Sequence, residues 1–96
     1  MKTILKSIVF ILLSTVVFAN ESDEVSKAFA NANDLYKKEN YEAAVAKYEF
    51  INSNLKVESA ELYFNLGNCF YKLDKVAPAI YNFEKALLFN PNDEVV

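Results

Sequence analysis

The stretch AELYFNLGNCFYKLDKVAPAIYNFEKALLFNPND, residues 60–93, decides the fold. Tyr63, Leu66, Gly67 and Phe70 recur at the three- and four-residue spacing that lines one face of an α-helix. Asp74 and Lys75 interrupt the run, and a second helical pattern begins at Val76. Pro78 falls in its first turn, where a missing N–H and a fixed φ do little harm. Asn-Pro-Asn-Asp at 90–93 is a stop signal. The pattern therefore predicts two helices joined by a tight turn. The only glycine in the chain, Gly67, stands in the middle of the first, where it costs about 0.8–1 kcal/mol relative to alanine.

Upstream, the same reading predicts a helix over residues 25–38 and another over 41–53, with the later pair at 58–73 and 76–89. Lys37-Lys38-Glu39-Asn40 breaks the first pair, with Asn40 placed to cap the next helix. Aromatic residues are frequent, but they do not alternate with polar ones at period two, so strands are not expected.

The chain also matches itself at a shift of 35 residues. Phe29 meets Phe64, Asn33 meets Asn68, and Tyr36-Lys37 meets Tyr71-Lys72. Ala44 meets Ala79 and Glu49 meets Glu84. Softer matches pair Ala32 with Gly67, Leu35 with Phe70, Val45 with Ile80 and Tyr48 with Phe83. A period near 34 with two helices per unit signals an array of helical hairpins. Gly67 then reads as a small-against-small contact with Ala79, as Ala32 does with Ala44. On that reading Gly67→Ala is tolerated or mildly stabilising, and Gly67→Leu overpacks.

Residues 60–93 resemble a tetratricopeptide repeat. Tyr63, Leu66, Gly67, Phe70, Ala79, Phe83, Ala86 and Pro91 fill the places of that family's pattern. Residues 25–58 are a degenerate copy: Ala32, Leu35, Ala44 and Tyr48 fit, while Ala28, Asn31 and Ile51 depart from it. The fold expected is all-α, a solenoid of two tandem antiparallel hairpins in an incomplete array, with residues 94–96 beginning a further helix. Two units are fewer than the three or so a solenoid normally needs. Low stability or self-association is therefore expected of the chain by itself.

The resemblance implies that the first helix of each unit lines a concave groove and the second forms the outer wall. The candidate groove residues are Phe29, Asn33, Tyr36 and Lys37, with Phe64, Asn68, Tyr71 and Lys72 in the second unit. Phe29, Asn33 and Tyr36 are spaced to share a stripe by geometry alone. Asparagine amides both donate to and accept from an extended backbone, and tyrosines add contact area with a polar tip. A protein or peptide partner is the expected ligand. One subset of the family grips C-terminal carboxylates with lysines and asparagines. Asn33 and Asn65 fall on two of its asparagine places, but Phe29 replaces its first lysine, and the remaining basic residues have no counterpart.

Residues 1–19 differ from the rest. Lys2 and Lys6 open them, Ile8–Leu13 is apolar, and Val17 and Ala19 stand at the spacing a signal peptidase reads. This pattern is a signal peptide, followed by a polar, flexible lead-in at 20–24. Its removal leaves 77 residues with a net charge of −5. That charge argues against nucleic acid, whose affinity rests on neutralised phosphates. A membrane role is expected only through the signal peptide or a downstream segment. The signal peptide, the degenerate first repeat and KVAPAIYNFEKALLFNPND (residues 75–93) together resemble BatE-type aerotolerance proteins. This implies a location in the periplasm or cell envelope of a Gram-negative bacterium.

Catalysis is not expected. The chain has no histidine, one cysteine and no glycine-rich loop, so no nucleophile has a visible base. Glu49 and Glu84 lie near Lys47 and Lys85 and read as surface charge. No small-molecule substrate, metal or cofactor is expected. Cys69 reads as a small buried helix residue.

Overall fold

The computed structural model describes residues 23–89. The signal peptide expected over residues 1–19, Pro91 and the further helix expected at 94–96 lie outside the described residues. Four helices follow one another: α1 (residues 23–37), α2 (Tyr41–Ser53), α3 (Ala60–Lys72) and α4 (Val76–Phe89). Among the described residues there is no strand. The fold is all-α, two tandem helix hairpins of the expected type.

The repeat is written into the backbone. In the α1–α2 turn, Glu39 N–H donates to Tyr36 O and Asn40 N–H to Leu35 O, both at 2.9 Å. In the α3–α4 turn, Asp74 N–H donates to Tyr71 O at 3.0 Å and Lys75 N–H to Phe70 O at 2.9 Å. Every residue in the second set is its counterpart in the first plus 35. Glu39 and Asp74 both adopt left-handed backbone, with φ of 62° and 60°. This is the reversal that satisfies the last carbonyls of a helix, normally built on glycine.

Both ends of α1 and of α3 differ from the sequence reading by one or two residues, and one expected cap does not form. Residues 23 and 24 already belong to α1, which shortens the flexible lead-in expected over 20–24. Asn40 holds the N-cap position of α2 but its side chain makes no capping bond. Its φ of −90° and ψ of 72° lie outside the extended region from which a cap side chain reaches back. The side chain that does cap is Ser59, whose extended backbone lets Oγ accept from Leu62 N–H at 3.1 Å. Glu58, expected inside α3, lies before it and accepts from the Tyr63 hydroxyl at 2.9 Å.

Packing runs through α3, which lies against both α2 and α4. Tyr48, Ile51, Leu62, Tyr63 and Cys69 are fully buried along this spine. Within each hairpin aromatic pairs bridge the two helices, and one pair recurs in both. Phe29 meets Tyr48 edge-on with centroids 6.4 Å apart, and Phe64 meets Phe83 at 5.8 Å. These pairs are again related by 35 residues. Asn52 ties the linker down: its amide donates to Val57 O at 2.9 Å and to the Tyr63 hydroxyl at 3.1 Å.

Candidate functional site

One concavity gathers half of the residues expected in the groove. Asn33, Tyr36 and Lys37 enter it from α1, and Asn68 from α3. Tyr48 of α2 and Asn65 of α3 complete a cavity of about 230 Å³. The spacing explains the assembly. Asn33, Tyr36 and Lys37 lie on one face of α1, and Asn65 and Asn68 are one turn apart on α3.

The site is wired through Tyr48. Its hydroxyl donates to Asn33 Oδ1, tying α2 to α1. Burial pushes this phenol up to about 12, with further upward pressure from Cys69 and Glu61, while the Asn65 amide pulls the other way. The group therefore stays a neutral donor at any physiological pH. With its oxygen occupied, Asn33 is left its N–H₂ to offer a ligand. Lys37 adds donors, and Asn65 and Asn68 can serve in either sense.

The other four candidates lie elsewhere. Phe29 and Phe64 are half-buried and pack against Tyr48 and Phe83 of their own hairpins. Tyr71 and Lys72 are exposed at the end of α3 and do not line the cavity. Tyr36 and Tyr71 differ for a local reason. Tyr36 packs edge-on against Tyr41 at 5.4 Å, whereas the position matching Tyr41 in the second hairpin is Val76. Tyr71 accordingly stands 65% exposed.

Residues 60–93 match the tetratricopeptide repeat family. The match covers α3, α4 and the residues just beyond them. No curated protein and no solved structure matches the chain. Tetratricopeptide repeats generally act as scaffolds for protein partners, and the cavity lies between the first helices of the matched repeat and the hairpin before it.

Two features of this repeat pair were not read from the sequence. Tyr48, which the repeat pattern aligns with Phe83, sends its hydroxyl into the groove, because a tyrosine on that helix is long enough to cross the hairpin. A larger cavity, of about 510 Å³, opens between α2, α3 and α4. Glu49, Asn52, Tyr63, Tyr81 and Lys85 are among its walls. Lys85 does not simply answer its neighbour Glu84. Its ammonium lies 4.9 Å from the Tyr63 ring centroid and 5.3 Å from that of Tyr81. The Tyr81 hydroxyl, foremost, raises its pKa.

Cys69 is a free thiol, fully buried, and burial pushes it up to about 11. A thiol so protonated is a poor nucleophile. Among the described residues no three histidine, cysteine, aspartate or glutamate side chains converge as a metal site, and no helix is long and apolar enough to cross a membrane.

Proposed function

We propose that the chain is an exported tetratricopeptide scaffold that holds a segment of a partner protein in the α1–α3 groove. The observation that carries this reading is the cavity in which Asn33, Lys37, Asn65 and Asn68 converge around the Tyr48 hydroxyl. Amide and ammonium groups on a shallow surface suit the carbonyls of an extended peptide, which recur along the chain and need no special side chain. Phe29 and Phe64 hold the two hairpins that present these groups. Export to a bacterial envelope rests on the pattern of residues 1–19. Membership of a Bat-type assembly rests on the resemblance of the first repeat and of residues 75–93.

Peptides selected from a random display library against the wild-type chain test the reading. Their affinity should fall at least tenfold on Asn65→Ala/Asn68→Ala while helical content is unchanged. Peptides that bind both proteins equally would remove the groove from the account. A second reading, in which the repeats pack against another copy or further segments, is favoured by the exposed apolar side chains of α4.

A further inference from the structure

Six of the large hydrophobic side chains exposed among the described residues belong to α4: Val76, Ile80, Tyr81, Leu87, Leu88 and Phe89. Val76, Ile80 and Leu87 are 61%, 51% and 45% exposed. With Phe83, half-buried because its ring also packs on Gly67 and Phe64 of α3, they form a stripe at positions 76, 80, 83 and 87. Steps of four, three and four residues place such a stripe along one seam of a helix. The equivalent positions of α2 are Tyr41, Val45, Tyr48 and Asn52, and none of these is fully exposed: α1 covers Tyr41 and Tyr48 through Tyr36 and Phe29, and α3, which lies on that helix, meets Asn52 through Tyr63. The α4 stripe is thus a surface of the kind that seats a helix.

The helix that fits it is not α1 of another copy. The residues by which α3 buries itself include Leu62, Leu66 and Cys69. Thirty-five residues earlier, α1 has Lys27, Asn31 and Asp34, all exposed. Lys27 is paired with Asp23 at 3.0 Å, and Asp34 with Lys38 at 2.9 Å. Laying that face on the α4 stripe would desolvate two ion pairs against hydrocarbon.

The stripe does fit itself. Steps of four, three and four read the same in both directions, so two antiparallel copies of α4 bring Val76 against Leu87 and Ile80 against Phe83 twice over. A two-fold interface requires this self-complementarity, and it closes at a dimer. Glu84 and Lys85, the only charged residues of α4, lie off the stripe. The geometry points to a two-fold homodimer made by antiparallel pairing of α4, a surface separate from the α1–α3 groove. One seam of a 14-residue helix is small, which puts the dimer in the weak class, with a dissociation constant on the order of 100 µM.

Sedimentation equilibrium of the full chain between about 10 µM and 1 mM tests this. Mass should rise from monomer to dimer and stop there. Ile80→Glu and Leu87→Lys should each raise the dissociation constant at least tenfold. Leu88→Lys, at the most exposed apolar residue but off the stripe, should leave it unchanged. Val76→Glu mixed with Leu87→Lys should recover a heterodimer, since the antiparallel register sets those two positions face to face. Circular dichroism shows that each variant remains folded, and the mixing arm holds even if Ile80→Glu does not. A monomer throughout, growth beyond the dimer, equal loss with Leu88→Lys, or no recovery on mixing would each overturn the proposal. Asn65→Ala/Asn68→Ala should leave the dimer intact, which separates this surface from the groove.

Discussion

Gly67 of α3 lies directly against the ring of Phe83 on α4. A β-carbon at position 67 would come within 2.5 Å of both Cδ1 and Cε1 of that ring, and 3.0 Å from Cγ. The glycine is therefore a seat for an aromatic side chain. The repeat pattern pointed to small-against-small packing on Ala79, which is also buried, but the space a β-carbon would take is filled by this ring.

This reverses the expectation for Gly67→Ala. Alanine improves helix propensity by about 0.8–1 kcal/mol. It also drives its methyl into a ring that is half-buried and held by Phe64, and overpacking of that kind costs about 1–3 kcal/mol. Phe83 cannot swing its far end away, because the contact reaches back to Cγ. The net expectation is a loss of about 1 kcal/mol, or about 4–8 °C in melting temperature for a domain of this size. Thermal melts of wild type, Gly67→Ala, Phe83→Leu and the double variant measure it. The double variant should be more stable than the sum of the singles requires, by about 0.5 kcal/mol or more. A Gly67→Ala protein that melts at or above wild type would show that the ring shifts freely.

The hairpin order, both ends of α2 and of α4 and the 35-residue register were legible because apolar spacing is a local signal. The matching hydrogen bonds at Leu35–Asn40 and Phe70–Lys75 show how far that register extends into the backbone. The groove was half legible. Asn33, Tyr36, Lys37 and Asn68 could be placed by helical phase, but phase gives only direction and not reach. The crossing hydroxyl of Tyr48 and the aromatic pairing of Phe29 and Phe64 depend on side-chain length across a hairpin. The turns hid for a different reason. Left-handed residues are usually announced by glycine, and Glu39, Lys56 and Asp74 carry no such mark.

Those turns supply a second expectation. A residue with a β-carbon in the left-handed region costs roughly 1 kcal/mol more than glycine there. Glu39→Gly and Asp74→Gly should each stabilise the fold by about 0.5–1 kcal/mol, less whatever the added freedom of the unfolded chain takes back. Aspartate tolerates this region better than glutamate, so Glu39→Gly should gain more. Urea unfolding midpoints compare the two directly. A fall in midpoint for both variants would mean that side-chain contacts of Glu39 and Asp74 outweigh the backbone strain.

The buried acids of the core set the alkaline limit of stability. Burial raises Cys69 from 9.0 in its ordinary state to about 11, and Tyr48 from 10.0 to about 12. Between those values the unfolded chain gives up protons that the folded chain keeps. The unfolded state is then favoured as pH rises, and stability falls. The loss should begin near pH 9 with the thiol and steepen above pH 10 as the phenol joins it. Well below pH 9 these two groups are protonated in both states and contribute no slope. Cys69→Ala should remove the first part of the loss while lowering stability overall, since it leaves a small cavity in the core. Tyr48→Phe should remove the second part and also free Asn33 Oδ1. Urea midpoints of the three proteins from pH 7 to 11 decide it. Parallel curves for wild type and Cys69→Ala would show that the thiol already ionises in the folded state. Iodoacetamide would then modify Cys69 in native protein at pH 9, where the buried, protonated thiol should resist it.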